Sequence, residues 1–156
     1  MSEEHYTIFH NDPYNYVVLK RNNFVSKEVF QASTNKSLQL LKQHHAAKLI
    51  IDDSLIKFVT PVNQEWILDE FSNTAFTSGV RFLAIVTPET LIGKYTVDKI
   101  YEQAPVRTTT SIEVRSFSHI DEAESWIREK NRRRDLLDSL GSGTPARVSF
   151  HMIVYP

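Results

Sequence analysis

The chain has 156 residues, 41% of them hydrophobic and 24% charged, and a formal net charge of −1 at pH 7. This composition suits one globular domain burying about two-thirds of its unfolded surface, and it excludes wholesale disorder. Near-neutrality removes the electrostatic basis for nucleic acid or anionic membrane as the main partner, and the absence of cysteine excludes disulfides, thiol catalysis and cysteine-ligated zinc.

In chain order, MSEEHYTIFH is acidic and lacks the basic region and apolar stretch of a signal peptide. His5–Phe9 and Tyr14–Lys20 are β-rich, and Asn11, Asp12 and Pro13 between them supply turn chemistry, which predicts a hairpin. Ser26 precedes a helix in which Phe30, Ser37, Leu38 and Leu41 recur at helical spacing, with Glu28 in its first turn. Ala47–Ile51 is a short apolar run of the kind buried on both faces of a parallel sheet.

Thr60 and Pro61 open a second helix with an apolar stripe of Val62, Trp66, Ile67 and Phe71, and Gly79 stands at its end. VRFLAIV at 80–86 predicts a second buried strand; its most apolar part, FLAIV, is far shorter than the ~20 residues that span a bilayer. Thr87-Pro88 repeats the earlier Thr-Pro helix opening, before a third helix over about 89–104. SIEVRSF at 111–117 alternates as an exposed or edge strand does, and Ser118 with Asp121 resembles a capping box ahead of HIDEAESWIREK. A continuation through NRRRDLLDSL ends at Gly141.

The order β-β-α-β-α-β-α-β-α predicts an α/β domain with a mostly parallel sheet behind an antiparallel hairpin. The domain is expected to span 1–130, followed by a helix extension and polar linker over 131–146 and an apolar tail over 147–156. The tail is read as an extra edge strand or a disordered end, or as a segment that pairs with another chain.

The densest candidate chemistry lies in LIIDDSLIKFVTPVNQEW, residues 49–66. Asp52 and Asp53 end a predicted central strand, where open α/β sheets place their ligands, so they could hold magnesium or accept a phosphoryl group. The further strand-end carboxylate of a receiver domain is missing, because the next strand ends in Thr87 and Pro88. The two acids are therefore expected to be solvated or to cap a helix. Ser54 and Thr60 could carry a phosphate near a helix start, although Thr60 before Pro61 is first of all an N-cap.

His44 and His45 are adjacent, and His5, His10, His119 and His151 are isolated in sequence, so no metal is expected. The four glycines match neither phosphate-cradling loop pattern, which disfavours a nucleotide enzyme; no cofactor is expected. Arg132–Arg134 beside Lys130 reads as a solvated helix face among acids, and Trp66 and Trp126 read as core.

The block AAKLIIDDSLIKFVTPVNQEWILDEF, followed by GVRFLAIVTPE and FSHIDEAESWI, resembles the bacterial STAS-like families, which include anti-sigma-factor antagonists and a STAS/SEC14 branch. The resemblance covers about residues 5–130. It implies a single layer of helices on a mixed, mostly parallel sheet, in a cytoplasmic, non-catalytic module. In the antagonists a strand-end Asp leads to Asp-Ser-Ser-Gly at a helix start, with the first serine phosphorylated. Aligned on Asp52, those positions are Thr60, Pro61, Val62 and Asn63, so a proline replaces the switch serine.

The expected function is regulatory binding of a protein partner, or self-association, without that phosphoserine switch. The expected surface comprises Asp52, Asp53, Ser54, Thr60, Asn63 and Gln64. The alternatives are a small or lipid-like ligand, drawing on the 11% aromatic content, and a magnesium-dependent enzyme using Asp52 and Asp53.

Overall fold

A computed structural model describes residues 2–3, 5–22, 26–56, 61–90, 95, 98–99, 112–130 and 150–154. The described elements are β1 (Ser2–Glu3), β2 (Tyr6–Asn11), β3 (Tyr16–Arg21), α1 (Lys27–Gln43), β4 (Lys48–Asp52) and α2 (Pro61–Trp66). A π-helical turn (Ile67–Phe71), α3 (Ser72–Ser78), β5 (Phe82–Val86), β6 (Ile112–Phe117), α4 (Ile120–Glu129) and β7 (Phe150–Val154) follow.

The described strands form one sheet in chain order, β1 to β7. β1, β2 and β3 are antiparallel neighbours, and β3 through β7 run parallel. The mixed, mostly parallel sheet with its N-terminal hairpin is the predicted α/β fold.

Period-two alternation assigns the core residues to two faces. Val17, Leu19, Leu49, Ile51, Leu83, Ile85, Ile112 and Val114 share one face with Phe30, Leu38 and Leu41 of α1 and with Ile67, Phe71 and Ala75 of the α2–α3 segment. Tyr16, Val18, Ile50, Phe82, Ala84, Val86 and Phe117 share the other face with Ala123, Trp126 and Ile127 of α4. Helices α1–α3 therefore make the expected layer, and α4 adds one helix on the opposite face. Both tryptophans pack as core: Trp126 is buried, and Trp66 lies against Phe30 and Phe71.

Ser26 caps α1, its Oγ accepting from the Val29 N–H at 3.2 Å. α1 ends at His44, and His45 takes the left-handed conformation at φ 51°. The His45 and Ala46 N–H groups then return to the carbonyls of Lys42 and Leu41, the double bond of a Schellman closure. Gly79, at φ 113°, closes α3 in the same way, donating to the Phe76 carbonyl while Val80 donates to that of Ala75.

Several expectations need correction. β6 is an inner strand, because the tail supplies β7 beside it; Ile112 and Val114 are buried on one face and Phe117 on the other. Ser118 is not the cap of α4: His119 occupies that position, with no side-chain hydrogen bond to the helix. The second helix runs without a break from Pro61 to Ser78, ending at Gly79 as expected, and carries a π-helical turn at Ile67–Phe71 inside it. Glu89 and Thr90 form a bend rather than a helix start, and most of the helix predicted over 89–104 lies outside the described residues. So do Thr60 and the segment 131–149, including the arginine run. No described helix is long and apolar enough to cross a membrane.

Candidate functional site

Parallel pairing of β3, β4, β5 and β6 brings their carboxyl ends together, with Lys20 opposite Asp52, Asp52 opposite Val86, and Val86 opposite Phe117. Arg21, Asp53 and Thr87 are the residues that end or follow three of these strands. The Asp53 N–H donates to the Val86 carbonyl at 3.0 Å, and the Thr87 N–H to the Phe117 carbonyl at 2.9 Å, with Thr87 Oγ1 donating to the same oxygen. Pairing thus extends one residue past the strands and fixes the floor of the site.

Arg21 is 1% exposed. Its Nη1 donates to both Asp53 oxygens, at 2.8 and 3.1 Å, and its Nε to Ser33 Oγ at 3.2 Å. Nη2 donates to Thr34 Oγ1 and to the Phe30 carbonyl, and the guanidinium lies 3.9 Å above the centre of the Phe30 ring. α1 therefore presents Ser33, Thr34 and Ser37 as a buried polar stripe among its apolar contacts. All five guanidinium N–H groups need acceptors in a dry site, and Asp53, Ser33, Thr34 and the Phe30 carbonyl supply them.

Asp52 and Asp53 are 3% and 5% exposed, so the expectation of solvated acids is corrected. Asp52 is a local cap, its Oδ1 accepting from the Ser54 N–H at 3.0 Å. Asp53 is an internal counter-ion. Burial pushes its carboxyl above the ordinary carboxylate range; the Arg21 guanidinium opposes that rise and the neighbouring Asp52 adds to it. Asn63 is buried as well, while Ser54 and Gln64 are half-buried.

Of the predicted site residues, the fold gathers Asp52, Asp53 and Ser54 at the end of β4. Asn63 and Gln64 stand in the first turn of α2, which leaves from that same end of the sheet. Arg21 was not singled out in the sequence. Its signal was a basic residue at the end of an apolar strand, read together with polar positions recurring on the inward stripe of α1.

The same end of the sheet exposes apolar groups. Leu55, directly after the acids, is 44% exposed, and Val62, in the first turn of α2, is 53% exposed. Val62 was expected on the buried stripe of its helix; the helix instead turns Asn63 and Ile67 inward. Compared with protein-family models, curated proteins and solved structures, the chain matches none.

Proposed function

We propose that this chain is a non-catalytic, STAS-like regulatory module that binds a protein partner at the carboxyl ends of β4 and β5 and the start of α2. One observation carries the reading: the two acids at this end are consumed internally while two apolar groups face solvent. Both Asp53 oxygens accept from Arg21 and Asp52 caps Ser54, whereas Leu55 and Val62 are exposed beside them. Buried, hydrogen-bonded polar groups stiffen a surface, and exposed apolar side chains supply the area that partner burial rewards.

Asp52, Asp53 and Asn63 shape this surface from beneath, and Ser54, Leu55, Val62 and Gln64 meet the partner. No phosphorylated serine at position 61 is required, since Pro61 stands there.

The test compares affinity capture from native lysate by the wild-type chain and by Leu55→Glu/Val62→Glu. The substituted chain should keep its urea midpoint, because both positions are exposed. A partner retained by the wild type and lost by the variant supports the reading. Equal recovery by both chains, or no recovery above background, overturns it.

A further inference from the structure

The opposite end of the sheet carries a second constellation. Antiparallel pairing sets His10 of β2 across from Val17 of β3, at the amino end of the parallel strands, and the C-terminus of α1 arrives at the same end. His10, Asp12 in the hairpin turn and His44 at the end of α1 each offer one ligand atom within 4.8 Å of the other two. His10 and Asp12 stand two residues apart in the hairpin, and the fold joins His44 to them from 32 residues further along the chain.

The hydrogen bonds fix what faces what. Asn15 Nδ2 donates to the His44 carbonyl at 3.4 Å, which turns Asn15 Oδ1 toward His10 Nε2 at 2.7 Å. An amide oxygen only accepts, so Nε2 carries a proton. In a neutral ring the other nitrogen, Nδ1, then holds a lone pair, and it lies 3.0 Å from Asp12 Oδ1. A lone pair against a carboxylate oxygen is repulsive unless a cation sits between them. That cation is a proton or a metal ion.

We propose that His10 Nδ1, Asp12 and His44 form a binding site for a divalent transition-metal ion, which displaces the proton between His10 and Asp12. Bonds of about 2.0–2.2 Å at angles of 90–110° place adjacent ligand atoms about 2.8–3.6 Å apart, a range that includes the 3.0 Å between His10 Nδ1 and Asp12 Oδ1. His44 stacks on His10, with ring centres 3.7 Å apart and planes 12° from parallel, so its ring must tilt edge-on to complete the set. Asp12 and His44 are exposed, which leaves an entry path and room for that tilt. Asn15 acts from behind the ligands by holding the His10 tautomer, as outer acceptors do in metal sites. Two imidazoles and one carboxylate select zinc, nickel or copper over magnesium or calcium. The three protein ligands leave further coordination positions to solvent.

The experiment titrates tag-free protein with zinc chloride and nickel chloride by calorimetry, with magnesium chloride as control. The wild type should bind one equivalent of zinc or nickel and no magnesium. Asp12→Asn and His44→Gln should each weaken binding at least tenfold, and Asn15→Ala by about 10–100-fold. His45→Gln and His119→Gln should leave it unchanged. With one equivalent of copper(II), electron paramagnetic resonance should show two coordinated nitrogens in the wild type and one in His44→Gln. Absence of saturable binding, binding by Asp12→Asn and His44→Gln equal to that of the wild type, or a loss in His45→Gln equal to that in His44→Gln would overturn the proposal. Urea midpoints of the metal-free variants separate ligand loss from unfolding.

Discussion

Replacing Arg21 by methionine keeps an unbranched apolar stem against Phe30 and removes the guanidinium from its buried site. Asp53 is left 5% exposed with no counter-ion. Ser33 and Thr34 stay satisfied, because both hydroxyls also donate to the Phe30 carbonyl, at 3.0 and 2.9 Å. The loss is therefore that of breaking a buried ion pair, about 3–5 kcal/mol at neutral pH. With a urea m-value of about 2 kcal/mol per molar, the unfolding midpoint should drop by about 1.5–2.5 M.

The penalty should depend on pH. Burial and Asp52 hold the Asp53 carboxyl above its ordinary value of 3.8, and without Arg21 nothing opposes them. The native variant then keeps a proton that the unfolded chain releases near pH 3.8. The stability this contributes is full below that pH and is lost as pH rises through the folded value. Arg21→Met should consequently lose less at pH 5 than at pH 8. Arg21→Met/Asp53→Asn, which removes both charges, should recover at least half of the loss at pH 8. A midpoint shift under about 0.5 M, an equal penalty at both pH values, or a double variant no better than the single would refute the buried-pair reasoning.

Gly79→Ala places a Cβ on a residue at φ 113° and 3.4 Å from the Ala46 carbonyl oxygen, so chemical denaturation should show a loss of about 1–2 kcal/mol. Tyr16 is 1% exposed, with its hydroxyl 3.0 Å from Glu124 Oε2, and burial raises its phenol above the ordinary 10.0. The native chain keeps that proton while the unfolded chain loses it, so stability falls as pH rises above 10. Tyr16→Phe should fall less steeply between pH 9.5 and 11, and parallel curves would contradict the assignment. Ser26→Ala removes the cap of α1 and should cost about 1 kcal/mol in urea unfolding.

The parts of the fold legible in the sequence were those set by local chemistry. LIID and FLAIV are apolar on both faces because helices cover both sides of the sheet at β4 and β5, and Gly79 closes α3 where only a left-handed residue fits. β6 was misread because its alternation, with Glu113 and Arg115 half-buried, looks like an edge; the strand that covers that edge comes from beyond Gly141. The charge at the candidate site was misjudged for a related reason. Asp52 and Asp53 read as surface groups until Arg21 is placed beside them, and that placement depends on parallel pairing across 32 residues. His10, Asp12 and His44 were likewise invisible as a set, because ligand spacing in sequence is informative only within one element. What did point inward was the spacing of Ser37 among the apolar residues of α1. A polar residue on a core-facing stripe calls for a buried partner.

The most direct test of the proposed binding surface is site-specific photocrosslinking. Benzoylphenylalanine placed at Val62 in the full chain should form a protein adduct in native lysate. The same group at Tyr14, 48% exposed at the far end of the sheet, should form none. An adduct at position 62 alone is the predicted result. Equal adducts at both positions, or none at 62, would contradict a partner surface at the carboxyl end of β4.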